Sequence, residues 1–319
     1  MRTFLDFEKP VADLEGQIQE LRRLEDGEAE SVSVSDEIAT LEQKARDALA
    51  GIYSKLTPWQ KTQVARHPDR PHAKHYIARL IEDFTPLAGD RKFGDDKAIV
   101  AGLGRFRGAP VAILAQEKGE DTQSRLQHNF GMARPEGYRK AVRIMDLADR
   151  FNLPVIALVD TAGAYPGVGA EERGQAEAIA RSTDACLRLG VPNIAVIVGE
   201  GGSGGAIAIA TANRVYMLEH AIYGVISPEG AASILWRDPA RAQDAATAMK
   251  ITAADMINLK IIDGVVAEPL GGAHRDADGV IDRAGDVIEE ALTGLAGLPR
   301  EDVVRMRREK LLAIGRSIQ

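Results

Sequence analysis

The spacing of apolar residues divides the chain near residue 97 into a helical front part and a part in which strands and helices alternate. In the front part, apolar residues recur every three or four positions, which is typical of amphipathic helices. This spacing predicts one helix over 10–25 and a second over 36–56, joined by an acidic, serine-rich linker at 26–35. Thr57-Pro58 predicts the N-cap and first turn of a third helix. The first helix carries its apolar stripe on Val11, Leu14, Ile18, Leu21 and Leu24.

After residue 97, apolar β-branched runs alternate with helical patterns, which predicts a parallel or mixed sheet covered by helices. Arg107-Gly108-Ala109 joins the first two runs, 98–106 and 110–118, and indicates a hairpin. The other predicted elements are a helix at 136–151, a strand at 155–160, a helix at 171–189, a strand at 193–198, a short helix to 212, strands at 214–218 and 222–226, and helices from 228 onward interrupted by a strand-like run at 261–268. The pattern predicts an α/β protein with an N-terminal helical arm over residues 1–84 and a second domain over 85–319.

Composition indicates an ordinary globular protein of the cytoplasm. Apolar residues make up 45% and charged residues 27% of the 319 residues, and the net charge of −7 argues against a nucleic-acid-binding protein. The N-terminus lacks the apolar core of a signal peptide, and no stretch approaches the roughly 20 apolar residues of a membrane span. Four basic residues near the C-terminus are interpreted as the solvated face of a helix: Arg305, Arg307, Arg308 and Lys310.

The single cysteine and a group of three histidines are candidates for redox or metal chemistry, and we expect neither to serve it. Cys186 lies within a helical pattern, so we expect a buried core residue in a reducing compartment. His67, His72 and His75 are close in sequence, but no cysteine and no suitably spaced carboxylate completes a metal site. They are interpreted as surface or interface histidines.

Two glycine-rich segments follow predicted buried strands, and the second is the most distinctive feature of the chain. Five of the seven residues 199–205 are glycine, and an alanine-rich helical pattern follows at once. Bare backbone N–H groups at the N-terminus of a helix favour an anion. The first segment, 160–174, has the same plan. Glu171 and Glu172 begin its predicted helix and are interpreted as capping residues rather than as general bases.

Other glycine-loop chemistries fit the second segment less well. The dinucleotide motif GxGxxG is present, with Glu219 as a possible ribose ligand, but the helix between would have only about eight residues, which is short for a crossover. The absence of Lys-Ser/Thr after the glycines excludes a P-loop. For a hydrolase, Ser203 is interpreted as lying outside a GxSxG motif, because glycines are its direct neighbours, and no His–Asp pair is evident beside it. The residues therefore predict an anion hole that stabilises an oxyanion or enolate, such as that of a thioester, through backbone N–H groups.

Seven blocks of sequence, in order and at matching spacing, resemble the carboxyltransferase alpha subunits of bacterial acetyl-CoA carboxylases over nearly the whole chain. The blocks are FLDFEKPVADLE, PWQKTQVARHPDRP, NFGMARPEGYRKA, DTAGAYPGVGAEERGQAEAIA, GEGGSGGA, ISPEGAASILW and EPLGGAHRD. Where that family usually has proline, this chain has Ala162. We expect the difference to alter the stiffness of the loop rather than its chemistry.

The resemblance implies a fold, a reaction and a set of partners. The fold would be a crotonase/ClpP-like spiral of ββα units over residues 85–319. The reaction would transfer a carboxyl group from carboxybiotin, borne by a biotin carboxyl carrier protein, to acetyl-CoA, giving malonyl-CoA for fatty-acid biosynthesis. ATP would enter only through the biotin carboxylase component. The active site would lie between this chain and a zinc-containing beta subunit in an α2β2 heterotetramer, with no metal on this chain.

The resemblance also implies which residues form the site. One anion site would stabilise the ureido oxygen of biotin, and the other, for the acetyl-CoA enolate, would belong to the beta subunit. The amides implied in the first site are those of Gly204, Gly205 and Ala206. The residues implied to wall the carboxybiotin cleft are Gly163, Ala164, Tyr165, Ser227, Pro228 and Glu229.

Two functions of other classes remain open from the sequence. A stand-alone crotonase-type hydratase or isomerase would need a placed carboxylate in the cleft and would act without a partner. A purely structural subunit would tolerate loss of the donors at Gly204 and Gly205.

We expect no side chain of the chain to act as general base, because the ureido nitrogen left by carboxyl release is itself basic. The carboxylates nearest the two segments are Asp160, Glu171, Glu172, Glu200 and Glu229.

Overall fold

The computed structural model describes residues 3–25 and 32–316, and its first helices form the predicted arm. The arm helices are α1 (Lys9–Glu25), α2 (Val32–Tyr53), α3 (Pro58–Ala65) and α4 (Ala73–Leu80). The second helix starts at Val32, so the linker prediction is wrong for residues 32–35, while 26–31 and the side chain of Leu24 lie outside the described part. As predicted, Thr57 caps α3: its hydroxyl accepts a hydrogen bond from the Gln60 amide.

The apolar stripes of the arm are covered within this chain. Helices α1 and α2 pack against each other through Leu14, Leu21, Ile18, Ile38, Leu41, Val34 and Ala45. Helix α3 places Ala65 and Trp59 against Ile222 and Ile251 of the main body. These contacts tie the arm to the main body. The boundary after residue 84 stays a prediction, and a strand, β1 (Ile81–Pro86), runs across it.

One mixed sheet of eight strands organises the main body. The other strands are β2 (Ile99–Phe106), β3 (Ala109–Gln116), β4 (Val155–Thr161), β5 (Asn193–Gly202), β6 (Arg214–Leu218), β7 (Ile222–Gly224) and β8 (Gly264–Val266). The order is β1-β2-β3-β4-β5-β6-β8, with β7 paired to the end of β5. Strands β1, β2 and β3 are antiparallel, and the remaining pairings are parallel. The strand β1 was not predicted, because at the sheet edge its residues IEDFTP are mostly exposed and polar.

The predicted hairpin is present with a tighter turn. Phe106 pairs with Ala109, so the turn has two residues instead of three. Both turn residues, Arg107 and Gly108, have positive φ, 49° and 80°. Two central residues with positive φ are typical of the type I′ turn, whose twist matches that of the flanking strands.

In the described part of the chain, ten further α-helices cover the sheet or follow it. They are α5 (Thr122–Gln127), α6 (Pro135–Phe151), α7 (Val168–Glu172), α8 (Gln175–Arg188), α9 (Ser203–Ala210), α10 (Pro228–Trp236), α11 (Ala242–Met249), α12 (Ala253–Asn258), α13 (Ala277–Leu295) and α14 (Arg300–Ala313). The helix predicted over 171–189 is broken at Gly174, whose φ of 80° is left-handed. Glu171 and Glu172 therefore end α7 instead of starting α8, and neither helix has a side-chain cap. The interpretation as side-chain caps is therefore wrong, although Glu171 does lie in the first turn of the short helix α7.

The core lies around the three central strands β3, β4 and β5, whose apolar residues are almost wholly buried. Cys186 is a free, buried thiol in this core, as predicted. Burial raises the pKa of this thiol to about 12, which makes it unreactive at neutral pH. None of the described helices combines the length and apolar character needed to cross a bilayer.

The basic cluster near the C-terminus is not a uniformly solvated face. Arg307 on α14 is fully buried and donates hydrogen bonds to the carbonyls of Cys186, Leu189 and Val191 near the end of α8. Lys310 is half-buried and pairs with Asp263. The carbonyls at a helix C-terminus lack intrahelical donors, and this guanidinium supplies them. Arg305 and Arg308 alone of the four are exposed.

Candidate active site

The two glycine segments lie side by side, because they follow the carboxyl ends of neighbouring parallel strands. Strand β4 leads into the first and β5 into the second, and Thr161 is in register with Gly201. In open α/β sheets, ligands bind at this edge, beyond the carboxyl ends of the strands. The structure therefore brings together the two segments that lie about 40 residues apart in the sequence.

The second segment is mostly strand, in contrast to the predicted loop over 199–205. Strand β5 continues to Gly202, and its last three residues pair with β7. Helix α9 begins at the next residue, Ser203, whose φ of 54° makes the sharp turn from strand to helix. As the sequence indicated, α9 has only eight residues.

Glycine is required where the two segments touch. A Cβ atom at Gly205 would lie 2.6 Å from the carbonyl carbon of Gly163 and 3.0 Å from the Ala164 nitrogen. A Cβ atom at Gly202 would lie 2.2 Å from the Ala162 oxygen. The backbone of α9 thus packs directly on the first segment. This contact places Gly163 and Ala164, both predicted site residues, against the predicted donor Gly205.

The start of α9 supplies backbone donors with no partner inside the helix. The first amides of an α-helix have no intrahelical acceptor, and no side chain caps this one. Gly204 and Gly205 hold such positions, while Ala206 stands where a helix begins donating to its own carbonyls. Buried Gln116 fixes the turn by donating to the Gly205 oxygen at 2.8 Å.

The first segment is held by its own hydrogen bonds. Thr161 donates from its hydroxyl to the Gly163 oxygen at 2.7 Å and accepts from the Gly163 amide at 3.1 Å. The Tyr165 amide donates to the Ala133 oxygen at 3.0 Å. The amides of Gly163 and Tyr165 are therefore already used within the chain. Tyr165 contributes its ring, over which the guanidinium of Arg134 lies 4.6 Å from the centroid.

The third predicted stretch, Ser227-Pro228-Glu229, begins α10. Ser227 caps the helix by accepting from the Gly230 amide at 3.1 Å. Glu229 pairs with Arg66 of the arm at 2.5 Å, and the same guanidinium donates to Glu200 at 2.7 Å. This arginine connects the start of α10 with the end of β5.

A buried ionic network of Lys118, Asp160 and Glu200 lies beneath the glycine segments, and the sequence did not predict it. Lys118, at the end of β3, lies 2.8 Å from an Asp160 oxygen and 2.6 Å from a Glu200 oxygen. The Glu200 amide donates to Asp160 at 2.9 Å, which fixes the ends of β4 and β5 relative to each other. With Arg66, these residues and Ala162 line a cavity of about 180 Å³. The available signal for Lys118 was the pair of charged residues, Glu117 and Lys118, that follows the apolar strand β3.

The network keeps its carboxylates ionised. Burial opposes ionisation of Asp160 and Glu200, but the Lys118 charge outweighs it, so the pKa of each carboxyl lies below its ordinary range. The two carboxylates in turn raise the pKa of Lys118 against the effect of burial. A carboxylate with so low a pKa is a weak proton acceptor near neutral pH. The arrangement provides charge and rigidity rather than acid–base chemistry.

The histidines are more buried than predicted. His67 and His72 are buried, and only His75 is partly exposed, where it pairs with Glu120 at 2.6 Å. The His67 ring stacks on His274 with centroids 3.6 Å apart. Burial, helped by the neighbouring His67, lowers the pKa of His274 to about 3. No group of three metal-binding side chains occurs within residues 3–25 and 32–316.

Ser203 has the backbone geometry of a hydrolase nucleophile without the rest of the machinery. Residues Gly201 to Gly205 spell GxSxG, and Ser203 takes the strand-to-helix turn with positive φ that this motif forms. The interpretation that Ser203 lies outside this motif is therefore wrong, and the argument against a hydrolase rests on the missing base alone. Within residues 3–25 and 32–316, the histidine rings that form hydrogen bonds have other partners than the Ser203 hydroxyl.

Comparison with known proteins gives a family match over almost the whole chain. Residues 4–315 match the family described as acetyl co-enzyme A carboxylase carboxyltransferase-like. The acetyl-coenzyme A carboxylase carboxyl transferase subunit alpha of Methylobacterium nodulans is 67% identical, and that of Xanthobacter autotrophicus 66% identical. Both matches cover 100% of this chain and of the relative.

Solved structures share the fold at low sequence identity. A transcarboxylase 12S structure matches 71% of this chain and 42% of its own with a TM-score of 0.58 and 23% identity. A Pseudomonas malonate decarboxylase hetero-tetramer in complex with coenzyme A matches 71% of this chain and 92% of its own with a TM-score of 0.57 and 21% identity. These matches confirm the predicted fold class, α/β with a crotonase-like fold.

Proposed function

This chain belongs to the family of acetyl-CoA carboxylase carboxyltransferase alpha subunits, and from that premise we propose that the amides of Gly204 and Gly205 stabilise the ureido oxygen of carboxybiotin. The family membership confirms the predicted activity, carboxyl transfer to acetyl-CoA. The part proposed here is which groups of this chain serve the reaction and what they do.

The contact between Gly205 and Gly163 is the observation that carries the proposal. It turns the uncapped start of α9 toward the first segment and leaves no room for a side chain that would shield the donors. Backbone donors fixed before the reaction stabilise an oxyanion without reorganisation, and one such donor is typically worth about 10²–10³ in rate. Gln116 and Thr161 supply the fixing hydrogen bonds. Ala206 is the least suitable of the three predicted donors.

Carboxybiotin supplies the carboxyl group and, after its release, a basic ureido nitrogen. The chain's own residues then have three tasks: to hold the ureido oxygen at α9, to wall the cleft with Tyr165 and the start of α10, and to exclude water. No side chain has to remove a proton. Asp160 pairs with Lys118, and Glu200 pairs with Lys118 and Arg66. This pairing supports the proposal that neither carboxylate acts as a base.

An exposed apolar surface supports the proposal that a beta subunit completes the site. Four large exposed apolar side chains lie on helices that start at the site, and a fifth, Val225, lies between β7 and α10. The four are Val168, Ile207, Ile234 and Leu235. Exposed apolar surface around a site is typical of a protein interface. The partner would contribute zinc, most coenzyme A contacts and the second anion site, in an α2β2 assembly.

The two alternatives are less well supported. A stand-alone hydratase needs a free carboxylate in the cleft, and both buried carboxylates near the turn are paired with cations. A purely structural subunit needs no close contact between two glycine segments, yet this chain builds one. The proposal also includes two partners, the biotin carboxyl carrier protein and the biotin carboxylase component, through which alone ATP enters. It further includes a cytoplasmic location.

The test is reconstitution with and without the beta subunit. Malonyl-CoA formation from acetyl-CoA and carboxybiotin is expected only in the mixture, because the isolated chain holds one of the two anion sites. Each purified subunit alone serves as control. Robust turnover by the chain without its partner would contradict the subunit assignment, and hydration of an enoyl-CoA by the chain alone would favour the hydratase.

A further inference from the structure

A groove lined mainly by basic side chains runs along α6 and has a volume of about 520 Å³. We call it the basic groove. It is bounded by α6, by the loop between β1 and β2, and by Arg181 of α8. Its acidic side chains are Asp90 and Asp146. Its six basic side chains are Arg91, Lys92, Arg139, Arg143, Arg150 and Arg181. On a chain with a net charge of −7, the groove is a local excess of positive charge.

Most of this charge has no carboxylate partner. Arg139 pairs with buried Asp90, and Arg181 with Glu177. Within the described ranges, the other four basic side chains have no carboxylate at ion-pair distance. Burial and the neighbouring charge of Arg91 lower the pKa of Arg143, against the opposing effect of Asp95 and Asp90. An anion in the groove would balance the cations that lack a carboxylate partner.

One side of the groove is held in place by hydrogen bonds within the chain. The Arg143 guanidinium donates to the carbonyls of Leu87 at 2.8 Å, Ala88 at 3.0 Å and Gly89 at 3.0 Å. Next in the chain, one Asp90 oxygen accepts the amides of Lys92 at 2.9 Å and of two further loop residues. The loop and the guanidinium are thus held in place in advance, which lowers the entropic cost of binding.

We propose that the basic groove binds an organic pyrophosphate, the diphosphate group of a nucleotide or of coenzyme A. Guanidinium groups bind phosphate oxygens in pairs, and several of them converge here. The volume lies within the range of small-molecule sites. Half-buried Val142 and Leu147 provide an apolar floor for a base beside the charges. The concave shape and the partly buried Arg143 favour a small polyanion over a flat acidic protein surface. The proposal is independent of the function proposed above.

The test is calorimetric titration of the full-length chain with ADP, coenzyme A and inorganic pyrophosphate. The groove variant is Arg91→Glu with Arg150→Glu. Both side chains are exposed, so the fold should be kept. The matched control is Lys44→Glu with Arg46→Glu on exposed positions of α2, which changes the net charge equally. Thermal melts of both variants establish that they are folded.

We expect the parent chain to bind ADP or coenzyme A, and the groove variant to bind at least about 30-fold more weakly, since each lost charge-assisted hydrogen bond costs roughly tenfold. The control should stay within about twofold. Tighter binding of coenzyme A than of ADP identifies coenzyme A as the source of the diphosphate, and the reverse order identifies a nucleotide. Absence of binding by all three probes, or equal weakening in groove variant and control, overturns the proposal.

Discussion

At the scale of single residues, the neighbouring glycines of the second segment differ in what surrounds them. The Cβ position of Gly205 is filled by the backbone of Gly163, which cannot move without opening the cleft. At Gly204, the nearest atom is a methyl carbon of Ile179, 3.3 Å away on a flexible side chain. The sequence presents the two as equivalent donors, and only the packing separates them.

This difference gives a matched pair of variants. Gly205→Ala is expected to lower kcat by about 10²–10³, since it forces the two segments apart and misplaces a preformed donor. Gly204→Ala keeps its amide and needs only a small shift of Ile179, so we expect turnover within about fivefold of the parent. Both rates are to be measured on the assembled enzyme. Equal, near-parental rates for the two variants would show that the anion hole lies elsewhere.

The carboxylates near the site yield a second prediction at this scale. Because cations hold the pKa of Asp160 and Glu200 below the ordinary range, neither is a suitable base at neutral pH. Asp160→Asn, Glu200→Gln and Glu229→Gln are each expected to lower kcat less than the roughly 10²–10⁴-fold typical of a lost acid–base residue. The exposed variant Glu171→Gln is the control.

Rates would be measured on assembled enzyme between about pH 6 and 9. A contradicting variant would lose about 10³-fold in kcat with unchanged KM and would also lose a limb of the parent's pH profile. That result would identify the carboxylate as the base and exclude proton removal by the ureido nitrogen of biotin.

At the scale of secondary-structure elements, the ends of the helices are where specific residues determine helix length and attachment to the sheet. The left-handed Gly174 separates α7 from α8, and the buried Arg307 of α14 satisfies the end of α8. Besides the carbonyls, this guanidinium donates to the side-chain oxygens of Asn193 and Asn213 at 2.9 and 2.5 Å. It therefore fastens the C-terminal helix to the start of β5.

Arg307→Met is expected to lower the free energy of unfolding by about 3–5 kcal/mol, because it leaves several buried acceptors without donors. The matched control is Arg308→Met, one residue further on the exposed side of α14, where a change below about 0.5 kcal/mol is expected. Denaturant titration measures both. Similar small effects for the two variants would mean that water satisfies the carbonyls equally well.

At the scale of the whole molecule, one ionic network joins parts that lie far apart in the sequence. Arg66 comes from the arm, Lys118 from the end of β3, Asp160 from β4, Glu200 from β5 and Glu229 from α10. The arm is thereby coupled to every part of the candidate site. Long-range charge pairs of this kind also couple stability to pH.

The sign of that coupling follows from the pKa shifts. Asp160 and Glu200 have lowered pKa values, so their contribution to stability is full above the unfolded values near 4 and is lost as pH falls below them. Lys118 has a raised pKa, so its contribution is full below about 10.4 and is lost as pH rises through the folded value. We expect a plateau of stability between about pH 5 and 10 in thermal melts.

Lys118→Met should lower the free energy of unfolding by about 3–5 kcal/mol at pH 7, since it leaves two buried carboxylates without their shared cation. The deficit should shrink toward pH 4–5, where protonation neutralises them. Lys92→Met, at an exposed position, is the control. A deficit independent of pH would mean that packing, and not charge, accounts for the effect.

The sequence by itself determined the features that depend on near neighbours. The 3.6-residue period of apolar positions predicted the arm helices, and the apolar β-branched runs predicted the central strands. The matching sequence blocks indicated the family and hence the fold and the reaction. Backbone rules also placed the Thr57 cap and the hairpin turn, because φ preferences and capping act over a few residues. The edge strand β1 could not be predicted from the sequence, since its mostly polar residues show no alternation of apolar and polar positions.

The tertiary structure alone decided which distant groups meet. Lys118 and Glu200 are 82 residues apart and Arg307 and Cys186 are 121 apart, so no local pattern marks either contact. The same holds for the burial of His67 and Arg307, for the packing of Gly205 on Gly163, and for the convergence of charges in the basic groove. Burial and charge pairing depend on how the helices and the arm pack around the sheet, and that depends on the whole chain at once.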